Sequence, residues 1–397
     1  MNFLAAVEKI SDLIETPNYF HKEKCIQWLS KRRDCSLCVD HCPVNAISIN
    51  TTLEIDHDKC VHCGLCLRLC PVGALVGEDG FSKLIRCFQF MESTDCVEFV
   101  CSQNPNAELG SDGNLLVLQV DRCLAAYGPS VFLFLQAIGI HRIILRLDGC
   151  EKCKIGSVKK DLLQAKDDAE SFFLASESTQ LNIEVIEKIA PAFHKRPVIQ
   201  INNPSINRRG FLSLFSKQSI NFLSKLLELS PESNKGGRCP SDERFRLIKL
   251  IKIITKDVTE GQQLEIAKRL KICSISINDR CSACGVCADV CPTGALSYHV
   301  DDEGMFQIKF SPLNCVNCGI CADCCEMGAI KVNETHTSNQ SQSVFDIQNQ
   351  ALLRSGELKR CKRCHVQYSS VNISDLCPIC EQRLTNPFGF VLPQSIH

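Results

Sequence analysis

Alternation of apolar and polar residues predicts β-hairpins at two places in the chain. Residues 46–49 and 53–55 alternate around a polar turn, and residues 296–300 and 305–310 do the same. Two period-two stretches joined by turn-forming residues are typical of antiparallel strands. Each predicted hairpin lies between runs of closely spaced cysteine, so one arrangement occurs twice, once towards each end of the chain.

The middle of the chain predicts a small α/β domain. Apolar stretches at 115–120, 142–147 and 182–186 predict three strands. Between them, residues 131–138 suit a buried helix, and residues 158–175 suit a helix with one polar face. Alternation of strand and helix is typical of a parallel sheet.

The remaining segments are simpler. Apolar residues at helical spacing predict a helix over 1–24 and a helical segment over 205–271. The stretch 334–358 begins with a polar, low-complexity run and is predicted as a linker. We expect the apolar stripe of the helical segment to pack in a core rather than bind a partner; it consists of Phe245, Leu247, Ile248, Leu250, Ile251 and Ile254.

Composition excludes several classes of protein. The 44 basic residues balance 45 acidic ones, so no charge excess indicates nucleic-acid binding. No stretch reaches the roughly 18 apolar residues of a membrane span, and the first residues lack the basic start of a signal peptide. An odd count of 29 cysteines at metal-site spacing argues against a secreted disulfide scaffold. We expect a cytoplasmic protein.

The cysteine runs carry the chemistry. Three runs have the spacing C-x2-C-x2-C-x3-C, and a fourth is stretched, with its first cysteine further upstream. Thiolates three residues apart can hold three corners of one cubane iron–sulfur cluster. Zinc favours two separated pairs of ligands, which these runs do not provide. The runs are Cys60, Cys63, Cys66 and Cys70; Cys281, Cys284, Cys287 and Cys291; Cys315, Cys318, Cys321 and Cys325; and Cys35, Cys38 and Cys42 with Cys25.

These runs resemble those of the bacterial two-cluster ferredoxins. In that family the fourth cysteine of each run binds the neighbouring cluster. The resemblance implies two dicluster modules, over 25–80 and 272–333, with four [4Fe-4S] clusters. Its implied ligand sets are Cys42, Cys60, Cys63 and Cys66; Cys25, Cys35, Cys38 and Cys70; Cys281, Cys284, Cys287 and Cys325; and Cys291, Cys315, Cys318 and Cys321.

Two positions depart from the ferredoxin pattern. Cys25 lies ten residues before Cys35, so the insertion must loop out and return the thiol. The alternative is a free thiol, which would leave a three-iron cluster or an open iron. At the last run, Glu326 replaces proline, and the x3 gap favours Cys325 over Cys324.

Glycines and histidines also lie near the runs. Gly64, Gly285 and Gly319 are expected where backbone approaches inorganic sulfur closely. We expect the histidines to face solvent or tune potential rather than bind iron, since the thiols complete the ligand count; they are His41, His57 and His62.

The middle domain carries further cysteines. Residues 115–155 resemble the delta subunit of methyl-viologen-reducing hydrogenase, with strands that end near Cys123 and at Cys150-x2-Cys153. That resemblance implies a [2Fe-2S] cluster with Cys101 as fourth ligand by position and Cys96 as its competitor. The alternative is a set of buried or redox-active thiols without metal.

The tail carries two C-x2-C hooks, Cys361 with Cys364 and Cys377 with Cys380. Four thiolates in this arrangement are typical of one tetrahedral metal. We expect this metal to be zinc, as in zinc ribbons. The spacing also resembles the rubredoxin-like domain of rubrerythrins, which binds iron. His365 and Glu381, where rubredoxin hooks usually carry glycine, weigh against iron.

A twin-arginine stretch, Arg208-Arg209, is similar to one in accessory ferredoxins of molybdoenzyme operons, although a basic helix start explains it as well. No dinucleotide-binding, P-loop or zinc-protease motif is present, and no catalytic residue is predicted.

The fold class follows as α+β multidomain. Two ferredoxin-like modules flank a small α/β domain (81–204) and the helical segment, and a zinc-ribbon or rubredoxin-like knuckle occupies 359–397. The ferredoxin resemblance implies a polyferredoxin-like subunit that carries single electrons between redox partner proteins rather than a stand-alone enzyme. The alternatives are a maturation protein for a metalloenzyme and a subunit of a heterodisulfide-reductase-type complex.

Overall fold

A computed structural model describes residues 19–89, 94–110, 115–176, 181–189, 193–202, 238–254, 272–333, 351–370 and 374–385. The described residues form two compact units. The first comprises those within Met1–Trp28 and Asp34–Leu270, and the second those within Leu29–Arg33 and Lys271–His397. Residues 1–18 of the predicted helix 1–24, the twin-arginine stretch and most of 205–271 lie outside the described residues. The last part of that predicted helix is not α-helical, because Tyr19–Phe20 form a strand and Lys22–Lys24 form a 3-10 turn.

The first unit begins with a small cysteine-rich module of short elements. The predicted hairpin is observed as β2 and β3, with Ile47 opposite Ile55. Its apolar side chains pack beside the cysteines, and the strands β1 and β4 pair at the module's edge. The elements are β1 (Tyr19–Phe20), α1 (Ile26–Leu29), α2 (Leu37–Asp40), β2 (Ile47–Ile49), β3 (Leu53–Ile55), α3 (Leu65–Leu69) and β4 (Leu75–Val76).

The α/β part follows in the same unit and confirms the predicted parallel sheet. Five parallel strands lie in the order β11-β7-β5-β8-β9. The buried helix α5 packs against α6 and α7, and the apolar residues of α7 include the buried Ile248, Leu250 and Ile251. The elements are α4 (Phe81–Gln89), β5 (Cys96–Cys101), β6 (Leu109–Gly110), β7 (Leu116–Val120), α5 (Pro129–Ala137), β8 (Arg142–Arg146), α6 (Lys159–Ser176), β9 (Asn182–Ile186), β10 (His194–Lys195), β11 (Ile199–Gln200) and α7 (Asp242–Ile254).

The central strand of this sheet, β5, was not predicted, because it contains a carboxylate. Glu98 is fully buried and lies between two buried guanidinium groups, those of Arg146 and Arg196. The Arg146 Nη1 atom lies 2.9 Å from Glu98 Oε1. A buried charge is tolerated where it is paired and hydrogen-bonded, so the two arginines allow glutamate in a central strand.

The second unit holds the other cysteine-rich module and the tail. Its predicted hairpin is observed as β13 and β14, with Leu296 opposite Phe310. The elements are β12 (Ser274–Ile277), α8 (Val286–Asp289), β13 (Leu296–Val300), β14 (Met305–Phe310), α9 (Ile320–Asp323), β15 (Ile330–Asn333), β16 (Ala351–Glu357), β17 (Lys359–Arg360), β18 (Gln367–Tyr368) and α10 (Pro378–Thr385).

The predicted linker 334–358 is wrong over its last part. Residues Ala351–Glu357 form β16, which pairs antiparallel with β14 and makes the hairpin a three-stranded sheet. The half-buried Leu353 packs on the apolar core of the module, which explains why this segment forms a strand. The tail is therefore joined to the module through a shared sheet.

No helix among the described residues is long and apolar enough to cross a membrane.

Candidate metal centres

The first module brings Cys60, Cys63 and Cys66 together with Cys42 from the stretched run. Burial, followed by the negative charges of Cys63, Cys60, Cys38 and Cys42, raises the pKa of Cys66 to about 12, so the neighbouring group also contributes, through Cys38. Burial also raises the pKa of Cys63, and Cys42 and Cys60 are the thiols that add to it. Cys42, Cys60, Cys63 and Cys66 are the residues that the ferredoxin resemblance assigns to one cluster.

The second group in this module is Cys25, Cys35, Cys38 and Cys70. Burial, then the charges of Cys70, Cys25 and Cys35, raises the pKa of Cys38 to about 12. Cys25 lies directly before α1, and that helix occupies the start of the insertion. The insertion therefore does return the Cys25 thiol to the neighbourhood of Cys35 and Cys70.

The second module repeats this grouping. Burial and the charges of Cys281, Cys284 and Cys325 raise the pKa of Cys287 to about 12. Burial and the charges of Cys315, Cys318 and Cys291, with a smaller contribution from Cys287 of the other group, raise the pKa of Cys321.

Buried thiols whose charges act on one another suit a cationic metal centre better than they suit a set of free thiols. Burial and mutual repulsion both disfavour the thiolate, as the raised pKa values show. Iron bound at such a site would neutralise that charge and release the protons, because metal ligands must be deprotonated. The donor set therefore fits a cluster at each of the four groups.

A repeated backbone corner follows the last cysteine of every run. The third residue after that cysteine has a positive φ, and in three runs the next amide is seen to donate to the cysteine sulfur. The φ values are 50° at Asn45, 62° at Gly73, 64° at Gly294 and 55° at Gly328. The N–H···S distances are 3.2 Å from Ala46 to Cys42, 3.2 Å from Ala74 to Cys70 and 3.3 Å from Ala329 to Cys325.

This corner distinguishes Cys325 from Cys324 independently of spacing. Cys325 accepts the same amide contact as Cys42 and Cys70, although Glu326 stands in place of proline. Our sequence analysis missed the corner. Its signal was a glycine or asparagine and then alanine, three and four residues after the last cysteine of each run.

The ligand loops also share a left-handed backbone. Gly64, Gly285 and Gly319 have φ values of 78°, 76° and 71°. At Gly64 a Cβ atom would lie 3.1 Å from the Cβ of Ala126 and 3.2 Å from Arg122 Nη1. Glycine is required there both by the conformation and by the close approach of the α/β part.

The middle cysteines meet at one edge of the parallel sheet. Cys101 ends β5, Cys123 follows β7, and Cys150 and Cys153 follow β8. All four line one cavity of about 510 Å³. Burial raises the pKa of Cys123 to about 12, with Cys101 and Cys150 among the thiols that contribute. This edge, at the carboxyl ends of the strands, is where parallel α/β sheets bind ligands.

Cys96 lies at the opposite end of β5 from Cys101. Burial raises the pKa of Cys96. The charges that act on this thiol most strongly belong to Arg142, Asp95 and Glu184 rather than to other thiols. Of the two competing candidates, the geometry brings Cys101 to the other middle cysteines and leaves Cys96 apart.

The same cavity reaches the first module. Val61, His62 and Cys63 contribute to its lining, and Cys63 is among the charges that raise the pKa of Cys123. A thiol of the first group and the four middle thiols therefore face one common space.

The tail hooks form a compact four-sulfur site. The Sγ atoms of Cys361, Cys364, Cys377 and Cys380 all lie within 4.8 Å of one another. A tetrahedral ion with zinc–sulfur bonds of about 2.3 Å needs sulfur atoms about 3.8 Å apart. The amide of Cys377 donates to the Cys361 sulfur at 3.3 Å. His365 has a φ of 62°, so this position requires the left-handed conformation that glycine would adopt at lower cost.

The histidines near the first module make other contacts. The Nδ1 atom of His41 lies 2.7 Å from Asp161 Oδ1 on α6. His57 is exposed, and the exposed His62 has its Nδ1 atom 4.0 Å from the Cys60 sulfur.

Three cysteines lie outside these groups, and they differ in burial and in the groups that surround them. Cys87 is fully buried in α4, and burial alone raises its pKa to about 11. The Cys239 sulfur lies 4.0 Å from Lys24 Nζ. Cys273 is fully buried, with its sulfur 3.1 Å from that of Cys315.

A family model described as a 4Fe-4S dicluster domain matches residues 31–74 and 280–329. The chain carries two 4Fe-4S dicluster domains. Its two ferredoxin modules, and with them an iron–sulfur electron-transfer role, are thus supported by sequence comparison as well as by the grouping of thiols. Among curated proteins, none matches the chain significantly.

Proposed function

We propose that this protein is a polyferredoxin-like subunit that passes single electrons between redox partner proteins. The observation that supports this is the match of both modules to the 4Fe-4S dicluster domain, within which the charges of neighbouring run thiols act on Cys38, Cys66, Cys287 and Cys321. A [4Fe-4S] cluster, when bound, supplies reversible one-electron chemistry. The chain supplies the thiolates, excludes water and directs amide donors at sulfur.

The ligand sets that we propose follow the observed groups, with Cys25 completing its set and Cys325, not Cys324, completing another. The amides of Ala46, Ala74 and Ala329 stabilise negative charge on their sulfurs. Hydrogen bonds to sulfur are among the factors that set cluster potential.

At the sheet edge we propose a [2Fe-2S] cluster held by Cys101, Cys123, Cys150 and Cys153. The shared lining of the 510 Å³ cavity supports a short path between this site and the cluster of Cys63. The resemblance to the hydrogenase delta subunit agrees with such a terminal site, where electrons would leave for a partner.

For the tail we propose one tetrahedral zinc ion, with iron as the alternative. His365 and Glu381 stand where rubredoxin hooks usually carry glycine, which favours zinc.

We also propose the domain division of the sequence analysis, with one change at the tail. The strand β16 belongs with the second dicluster module, so the linker ends before residue 351.

A subunit of a heterodisulfide-reductase-type complex is the second candidate function. The cavity at the middle cysteines favours it, because its volume leaves room for a reactant beside the thiols. The exposed Lys152 and Lys154 in its lining would attract a reactant that is anionic. The maturation role depends on residues 205–230, which lie outside the described residues.

Iron and acid-labile sulfide analysis after anaerobic reconstitution tests the proposal. We expect about 16 irons from four cubanes, and about 18 with the sheet-edge site. Cys150→Ser should remove about two irons and leave the cubane signals in electron paramagnetic resonance. A preparation with about eight irons or fewer would contradict two complete modules.

Dithionite reduction separates the two candidate functions. An electron carrier should reoxidise on contact with a partner oxidoreductase. Cys150→Ser should slow that reoxidation without abolishing it and leave the reduction of the cubanes by dithionite unchanged. A reductase should consume a disulfide substrate stoichiometrically and lose that activity completely in Cys150→Ser.

A further inference from the structure

The cavity at one thiol group of the second module has a wall made by the tail knuckle. This space, about 270 Å³, is lined on one side by Cys281, Cys284, Cys287 and Cys325. Its other side is lined by knuckle residues, namely Val366, Gln367, Tyr368, Cys377, Pro378 and Ile379. The wall belongs to the same unit as the thiols.

Two connections hold the knuckle at this place. The strand β16 runs antiparallel to β14 from Met305, opposite Glu357, to Phe310, opposite Ala351. Beyond it, the amide of Ser369 donates to the carbonyl of Ser282 at 3.0 Å. Ser282 lies between two of the thiols, so the knuckle is bonded directly to the ligand loop.

The wall residues depend on the four-sulfur site for their positions. Tyr368 is buried against Cys361, Cys377 and Cys380, and its hydroxyl donates to the carbonyl of Ser374 at 2.6 Å. Ile379 lies between the third and fourth sulfurs in the chain. A core this small has few apolar contacts, so a bound metal must supply much of its folding energy.

We propose that the tail metal site serves as a shield for the [4Fe-4S] cluster held by Cys281, Cys284, Cys287 and Cys325. With metal bound, the knuckle forms a fixed apolar wall that limits access of water, oxygen and chelators to the cluster. The wall leaves the exposed Cys284 uncovered, so a redox partner reaches the cluster from that side. This inference rests on the proposed cluster at these four thiols.

The structure explains why this cluster and not its neighbour is shielded. The other group of the module, around Cys315, Cys318 and Cys321, does not line the walled cavity. It provides an internal comparison, because the two ligand loops share spacing and backbone conformation.

The first test removes the tail metal from the full, reconstituted chain with the double substitution Cys364→Ser and Cys380→Ser. We expect several-fold faster hydrogen exchange in the peptide 281–287 and unchanged exchange in 315–321. Iron release to a chelator in air should show a fast phase of about four irons that the parent protein lacks. The matched control is Lys362→Ala, which breaks an exposed ion pair with Asp375 in the same knuckle and leaves the sulfurs intact.

A second variant keeps the test valid if loss of the metal unfolds the tail. Val366→Ser with Ile379→Ser changes two wall side chains that are 59% and 48% exposed, and leaves all four cysteines of the tail site unchanged. Its tail metal should be retained, while the same fast phase of iron loss appears. Unchanged loss in both variants, or equal acceleration in the peptides 281–287 and 315–321, would overturn the shield. Absence of cubane signals in the parent protein would instead overturn the proposed function.

Discussion

The sulfur of Cys273 lies 3.1 Å from the sulfur of Cys315 and donates a hydrogen bond to it. Cys273 is fully buried directly before β12, outside any cysteine run. Cys315 belongs to one of the four thiol groups, so Cys273 is placed to act on a cluster without binding it. An S–H donor stabilises negative charge on a ligand sulfur, and that charge grows when a cluster is reduced.

We expect Cys273→Ala to lower the potential of the cluster at Cys315 and to leave the iron content unchanged. Redox titration followed by electron paramagnetic resonance should show one cubane component displaced to lower potential. Cys87→Ala, which removes an equally buried thiol from α4, should displace none. Loss of about four irons in Cys273→Ala would show instead that Cys273 is a ligand.

The apo protein should lose stability as pH rises above about 9, and the loaded protein should not. Burial and neighbouring thiols raise the pKa values of Cys38, Cys66, Cys123 and Cys287 to about 12 in the folded chain. A raised pKa means that the folded state holds its protons more tightly than the unfolded state. The resulting stability is present below the unfolded pKa and is lost as pH rises through the folded value.

Thermal melts of apo and loaded protein between about pH 7.5 and 10.5 measure this effect. The unfolding midpoint of the apo protein should fall over this range. The loaded protein provides the control, because its thiolates are bound to iron at every pH. An equal fall in both forms would show that other groups, such as lysines, are responsible.

Replacing Gly64 should weaken the junction between the first module and the α/β part. Gly64→Ala places a Cβ atom 3.1 Å from Ala126 and also incurs the cost of a left-handed backbone, in total about 1–3 kcal/mol of unfolding free energy. Gly139→Ala is the matched control, since its φ is 95° and a Cβ there meets nothing within 4 Å. Denaturant unfolding that gives the same loss for both would mean that the close approach contributes nothing.

The tail site should bind metal more tightly after His365→Gly. The left-handed conformation at His365 costs about 1 kcal/mol for a residue with a side chain, and glycine removes that cost. A gain of this size corresponds to about fivefold in affinity, measured by competition with a chromogenic chelator. His365→Ala should show no gain, because alanine carries the same backbone penalty. A tighter site in both variants would assign the effect to the imidazole instead.

Local pattern predicted much of this structure. The two hairpins and three of the five parallel strands lie where period-two or apolar stretches placed them, because each depends on residues close in sequence. The ferredoxin runs were equally clear, since three-residue spacing fixes where the thiols of one loop can meet.

The missing elements depend on partners far along the chain. The strand β5 contains Glu98, whose charge is balanced by Arg146 and Arg196, 48 and 98 residues away. The strand β16 follows a polar stretch and owes its place to pairing with β14. Neither partner falls within the window that a periodicity argument uses.

Sequence spacing identified three of the cysteines expected at the middle site but left two candidates for the fourth. Cys96 and Cys101 bound the same strand, and only the direction of β5 in the sheet places Cys101 with Cys123. The corner after each run was readable in the sequence, but its meaning required the observed positive φ and the amide contacts to sulfur.

The close approach of Gly64 to Ala126 ties the cysteine loop of the first module to the turn that follows β7. Lengthening or exchanging either segment would open the cavity that Cys63 and Cys123 line together. A larger side chain on one surface therefore requires space on the other, so the two segments can be redesigned only together.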